Sequence, residues 1–418
     1  MAKRANLSKR QSPRRALVLS GGGARGAYEA GVLRFLFDGL PQRLGHAPRI
    51  DLVSGTSVGA IHACFVAATM HQGEERSAQL ASVWESMALS ELFGSAVGEL
   101  LRLPRRMLST LRARGALQDG APPERLYGLL NTQYLERIVR EAIPWTRIRR
   151  NLGEGLIEAA AVAATEIATG RSTVFLDAQR GPDAAWDHDP SMIAVPTKLG
   201  PAHALASAAI PLLFPAVRVG ATYYADGGLR VNTPLAPVLR LGADKVLVIA
   251  LRKGATGGAE GDSAARRVGS YGNPLFLFGK VLNALLLDHI DNDLAHLRML
   301  NDVVRGVRDR AGESALERVN EALVSERGHA MRVIDDLVVR PSQDVGVLAG
   351  EAMRGVGGPR PSTGVRLLLR AFDLGEEAFE ADLLSYVLFD RSFTRRLVDL
   401  GYEDAKRQQD ELAEFFAD

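Results

Sequence analysis

Across 418 residues there is a single cysteine, Cys64, so an intramolecular disulfide is excluded and nothing demands an oxidising compartment. Cys64 falls in an apolar, Ala-rich run and reads as a buried, inert thiol. No uninterrupted apolar stretch reaches about 18 residues, the length a membrane-spanning helix needs, so none is expected. Nor does an apolar segment of the signal-peptide kind separate the basic N-terminus from Ser20-Gly21-Gly22-Gly23. The expected location is cytoplasmic, peripheral to a membrane at most. Acids are missing from residues 1–15, which carry Lys3, Arg4, Lys9, Arg10, Arg14 and Arg15. Taking that +6 from the +2 of the whole chain leaves residues 16–418 near −4. The tail, residues 1–14, reads as solvated and disordered, with attraction to an anionic membrane surface as the sharper alternative. A second acid-free stretch, 100–117, interleaves Arg102, Arg105, Arg106, Arg112 and Arg114 with leucines, and is a candidate for peripheral membrane contact. Solvated surface arginines are its plainer reading. No nucleic acid is expected as a partner.

What is present is ordinary for a globular enzyme: 46% apolar and 24% charged residues. Ala16–Ser20 reads as a buried strand and Ala27–Leu40 as a helix. Ile50–Ser54 is a second short strand, followed by a helix from Ala60 to Met70. Strand, glycine turn, helix, repeated, begins a parallel α/β sheet. Further strands are expected at Leu156–Thr165, Thr173–Leu176, Tyr223–Ala225, Lys245–Leu251 and Val338–Pro341. A helix is expected over Ala204–Pro215, stopped by its prolines. Gly254–Gly272, rich in Gly, Ala and Ser, reads as a mobile loop. Residues 301–332 read as an exposed charged helix, and residues 365–416 as two or so helices.

The second strand ends in Gly55-Thr56-Ser57-Val58-Gly59. A strand turning sharply into a helix strains its apex residue, and glycine at both second neighbours is what fits there. The turn lifts the Ser57 hydroxyl to the positive end of the following helix, as an acyl-transfer nucleophile requires. A glycine-rich turn with an incidental serine is the plainer reading. The run Gly21-Gly22-Gly23-Ala24-Arg25-Gly26 also has two readings. As a dinucleotide fingerprint it lacks the acid that should end the second strand, and no Gly-Lys-Ser/Thr makes it a phosphate loop. As an oxyanion hole it needs only backbone N–H groups turned to one point, which successive glycines permit. A base for Ser57 is less plain. His289, His296 and His329 lie in helical, charged segments, and His62 and His71 on the helix behind the serine. Asp226, in Asp226-Gly227-Gly228 after a strand, is what remains, and a carboxylate held desolvated or hard against a hydroxyl can serve.

Together, the glycine run 21–26, the Gly55–Gly59 elbow, Ala206-Ser207-Ala208-Ala209-Ile210-Pro211 with Phe214-Pro215, and Asp226-Gly227-Gly228 resemble the patatin-like phospholipases. The blocks occur in family order over roughly residues 14–250. The resemblance implies a three-layer α/β/α sandwich with a mostly parallel central sheet, over 15–341, followed by a helical C-terminal extension over 342–418. It implies a serine lipid acyl hydrolase acting on phospholipid or another fatty acyl ester, with no metal and no cofactor. Ser57 and Asp226 would be the catalytic dyad. Gly21, Gly22, Gly23, Arg25 and Gly26 would form the oxyanion hole, Gly55 and Gly59 the elbow, and Gly227 and Gly228 the turn at the base. Arg25 would orient the glycine loop, with a phosphate head group as its other candidate partner, and Ser207 would serve packing. The alternative is a patatin-like module that binds lipid without turnover, or transacylates.

Overall fold

Strand β1 (Arg15–Leu19) is buried at every residue and lies at the middle of the sheet. Its apolar run has no polar face to give to water, as expected of a parallel strand covered on both sides. In this computed structural model the structure describes residues 12–73, 75–87, 132–182, 186, 191–211, 213–254, 290–327, 330–354 and 381–417. Outside them lie nearly all of the basic tail, the 100–117 arginine segment, the Gly254–Gly272 stretch beyond Gly254, residues 355–380, His289 and His329.

From β1 the chain enters helix α1 (Gly26–Arg34), which continues through a π turn at Phe35–Gly39 into α2 (Leu40–Leu44). Strand β2 (Leu52–Thr56) and helix α3 (Val58–Thr69) follow, then α4 (Glu75–Glu85), α5 (Gln133–Ala142) and α6 (Trp145–Gly153). Next come β3 (Ala159–Glu166), β4 (Ser172–Ala178), β5 (Met192–Pro196) and α7 (Pro201–Ser207). A hairpin of β6 (Val217–Val219) and β7 (Thr222–Asp226) precedes α8 (Leu235–Arg240) and β8 (Lys245–Ile249). Helices α9 (Ile290–Ala311) and α10 (Glu313–Arg327), strand β9 (Asp335–Val339) and helices α11 (Val345–Arg354), α12 (Ala381–Val387), α13 (Arg391–Arg407) and α14 (Gln409–Phe416) complete the described chain.

The sheet runs β5-β4-β3-β2-β1-β8-β9, parallel except where β4 turns back against β3. Alternate residues divide the core in two. Leu17, Leu19, Val53, Val162, Leu247 and Ile249 face α1, α3 and α13. Ala16, Val18, Leu52, Ala161, Val246 and Val248 face Val238 of α8 and Leu294 and Leu297 of α9. This is the expected three-layer arrangement with a mostly parallel sheet. Each fully buried aliphatic side chain contributes about 1.5–3 kcal/mol, so the two faces drive the layering.

The expected helix over Ala204–Pro215 is shorter and earlier, at Pro201–Ser207. Pro201 sits in its first turn, where a proline costs no hydrogen bond. Pro211 then disfavours helical backbone at Ile210, and the chain turns away before it. The C-terminal helices, within the stretch read as an extension, share the main core. Phe393, Leu397, Val398 and Phe416 are buried with the residues of α1 and β1.

Strand β7 sets the position of everything chemical. It runs antiparallel to β3 and pairs Asp226 with Ala164, whereas β2 pairs Thr56 with Ala163. The two strands therefore use successive stretches of one edge of β3. Where β2 leaves the sheet after Thr56, β7 arrives from the other direction and ends.

Candidate active site

Ser57 has φ 56° and ψ −125°, and among the described residues it is the only non-glycine residue with positive φ. Such a conformation costs on the order of 1–3 kcal/mol and persists only where the surroundings enforce it. A Cβ on Gly55 would come within 2.1 Å of the Gly59 carbonyl oxygen, and one on Gly59 within 2.4 Å of the Leu19 carbonyl oxygen. The elbow thus closes against itself and against β1, with no room for a methyl group at either place. The N–H of Ser57 donates to Ser207 Oγ at 2.9 Å, and that hydroxyl donates to the Ala163 carbonyl. Ser207 is therefore more than packing: it ties the strained residue to β3. Only its place in an Ala-rich run near two prolines marked it, and that pattern does not reveal a hydrogen bond.

The Ser57 hydroxyl donates to Asp226 Oδ2 at 2.6 Å. Ser57 is 4% exposed and Asp226 fully buried. The other carboxylate oxygen accepts from the Gly228 N–H at 2.7 Å, the Asp226 N–H donates to the Ala209 carbonyl, and Thr165 Oγ1 donates to the Asp226 carbonyl. Burial pushes the Asp226 carboxyl up from the ordinary 3.8 to about 7, against the opposing pull of the bonds from Ser57 and Gly228. An acid near 7 is matched to taking and returning a proton at neutral pH.

The glycine loop lies against the serine. A Cβ on Gly21 would sit 3.1 Å from the Ser57 Cβ. Not all the loop's N–H groups are free to meet a ligand. Gly21 donates to the Asn232 carbonyl at 3.0 Å, Arg25 to the Gly22 carbonyl at 3.1 Å, and Gly26 to the carbonyls of Gly23 and Ala24. The five-residue oxyanion hole expected from sequence narrows accordingly. Among the described residues, no acceptor faces the N–H of Gly22 or Gly23. Asn232 Nδ2 also donates to the Gly21 carbonyl at 3.2 Å, and Ser20 Oγ bonds Thr233 Oγ1 at 2.7 Å. The chain just after the Asp226 turn thereby holds the glycine loop, a link invisible in one sequence because it joins residues 211 positions apart.

Beside Ser57 and Gly23 opens an apolar pocket whose walls include Ile61, Phe65, Leu80, Met87, Val139 and Phe214. His62 also lines it, yet meets neither Ser57 nor Asp226. Its Nδ1 bonds Glu29 Oε2 at 2.7 Å and its Nε2 accepts from Trp84 Nε1 at 3.0 Å, so the ring is the Nδ1–H tautomer. Burial lowers its pKa to about 3, which keeps it neutral. His203 Nδ1 accepts from the Gly200 N–H, His71 is exposed, and His296 is exposed on α9 in the opposite layer. Among the described residues no histidine bonds Ser57 or Asp226. The arrangement, a buried hydroxyl on a carboxylate with idle N–H groups and an apolar slot beside it, suits attack on the carbonyl of an apolar ester.

Residues 17–239 match the family described as patatin-like phospholipase. A cGAMP-activated phospholipase of Pseudomonas aeruginosa is 32% identical over 218 residues, which are 52% of this chain and 53% of that protein, so the likeness spans about half of each. Among solved structures, VipD from Legionella pneumophila aligns over 96% of this chain and 67% of its own, at 14% identity and a TM-score of 0.31. The ExoU-SpcU complex of the Pseudomonas aeruginosa type III secretion system aligns over 90% and 75%, at 16% identity and 0.26.

Proposed function

The chain belongs to the patatin-like phospholipase family, and from that premise we propose that it is a serine esterase of fatty acyl lipids working through Ser57 and Asp226. The observation that carries the reading is the 2.6 Å bond from the Ser57 hydroxyl to a fully buried Asp226 at the mouth of an apolar pocket. The acyl chain lies in the pocket and the ester carbonyl meets Ser57. As Ser57 Oγ bonds to the carbonyl carbon, its proton passes to Asp226. The negative oxygen that forms is met by the N–H groups of Gly22 and Gly23, which face no other acceptor among the described residues. Asp226 returns the proton to the departing alcohol oxygen. Water then gives a proton to Asp226 and adds to the acyl-enzyme, and the fatty acid leaves as Ser57 recovers its hydrogen. The single carboxylate serves as base and acid in turn, and a pKa near 7 suits both directions.

No helix among the described residues is long and apolar enough to cross a membrane. The arginine segment 100–117 and the basic tail remain our proposed points of contact with anionic lipid.

A fluorophosphonate probe tests the reading. It should label the wild type at Ser57, and Ser57→Ala should lose both the label and the release of fatty acid from phospholipid vesicles. Labelling without any release would favour a lipid-binding or transacylating module.

A further inference from the structure

The family match ends at residue 239, yet the walls of the site do not. Gly23 has φ +56°, and a Cβ there would lie 2.2 Å from the carbonyl oxygen of Tyr386 in α12. The glycine loop is thus flush against the backbone of a helix more than 360 residues downstream. Arg25, 5% exposed, donates from Nε to Ser385 Oγ at 2.7 Å, and its guanidinium carbon lies 4.0 Å over the Tyr386 ring. That guanidinium is a strut inside the protein and not a receptor for a head group.

Four residues after Ser385, Phe389 lines the apolar pocket and stacks on Trp84, with ring centroids 6.1 Å apart and planes 8° from parallel. Trp84 is itself a pocket wall, fixed by its indole bond to His62 and by Thr394 Oγ1 donating to its carbonyl at 2.9 Å. Behind these contacts α13 crosses α1 at backbone distance. A Cβ on Gly401 would meet the Tyr28 carbonyl oxygen at 2.1 Å, and Tyr28 donates its hydroxyl to Asp404. The segment therefore reaches the donors and the pocket at once, from a rigid base.

We propose that residues 385–394 are working parts of the site: Ser385 positions the oxyanion loop through Arg25, and Phe389, stacked on Trp84, limits the acyl chain the pocket accepts. The inference rests on the acyl-ester reading above. Donors stabilise a developing charge only if they are held in place beforehand, and a run of three glycines cannot hold itself. An aromatic side chain in the pocket wall takes up space that an acyl chain would otherwise fill, and its size then selects chain length.

The test uses the full chain and nitrophenyl esters of short and long fatty acids, with kcat and KM measured separately. Circular dichroism checks that each variant is folded. Ser385→Ala should lower kcat about tenfold at every chain length, with KM little changed, as expected when transition-state donors are misplaced. Phe389→Leu should raise the long-to-short ratio of kcat/KM several-fold or more, and Phe389→Trp should lower it, since a single methylene in an apolar pocket is worth roughly 10–200-fold in discrimination. If the wild type hydrolyses these esters while Ser385→Ala keeps its kcat within about twofold and neither Phe389 variant moves the ratio, the inference is overturned and the hydrolase reading stands. If the wild type hydrolyses none of them, the hydrolase reading falls and takes this inference with it.

Discussion

Asp226 answers two opposing demands, and both can be read with a pH meter. To act as the base proposed above it must be unprotonated, and burial has moved its pKa from 3.8 to about 7. The expected kcat/KM profile therefore rises about tenfold per pH unit below 7 and levels off above it. A midpoint near 4 in a stopped assay on a soluble ester would rule out the buried carboxylate as the base. The same shift weakens the fold. As pH rises, the unfolded chain gives up this proton near 3.8 while the folded one keeps it until about 7. Stability from this group is fully present below about 4 and lost as pH climbs through 7, a matter of a few kcal/mol. Asp226→Asn removes the titration while keeping the shape. It should melt above the wild type at pH 8, with the gap closing toward pH 4, while turnover falls about 100-fold or more. Ser57 and Asp226 were legible because each sits among glycines that mark abrupt backbone turns. Ser207 and Asn232 were not, since both act by binding backbone atoms, and one sequence carries no sign of which backbone will be near.

Most strands could be foreseen, because short apolar runs between turn signals have few other uses, but β5 and the short β6, both only partly buried, were not. Helix ends were harder: the Ala204–Pro215 expectation missed that Pro201 starts the helix and that the chain bends before Pro211. The pairing of β7 could not be foreseen at all. Nothing in Tyr223-Tyr224-Ala225 says that it will share the edge of β3 with β2, yet this register alone brings Asp226 to Ser57. The crossing of α1 and α13 was equally hidden, since a helical glycine reads as a weakness until its partner is known. Gly401→Ala places a methyl group against the Tyr28 carbonyl and should cost about 1–3 kcal/mol, seen as a fall of several degrees in the melting temperature. Gly306→Ala is the control. Its added methyl meets nothing within 4 Å on α9, so helix propensity should leave stability unchanged or raise it by up to about 1 kcal/mol.

At the scale of the whole molecule, what joins distant parts is the meeting of the first strand with the C-terminal helices. Arg15 is 1% exposed and donates to the carbonyls of Phe415 and Ala417, and Lys245 Nζ donates to the Phe415 carbonyl as well. Removing residues 342–418 would strip Phe393, Leu397 and Phe416 from the core that covers α1 and β1. The shortened chain should aggregate or bind a hydrophobic dye, and should not be labelled by fluorophosphonate. Labelling at wild-type rate would show that the site assembles without these helices. The patatin-like motifs made the sandwich legible, but the family match stops at residue 239 and gave no view of what the later helices do. The Arg15 contacts also carry a consequence in time. A ribosome adds roughly 5–20 residues per second, so β1 waits on the order of 20–80 seconds for the residues that cover it. Until then the glycine loop lacks the strut between Arg25 and Ser385, and the pocket lacks its Phe389 wall. On the reading proposed above, a chain abandoned part-way through translation would carry the serine and its carboxylate but no finished site, so activity would mark only completed copies.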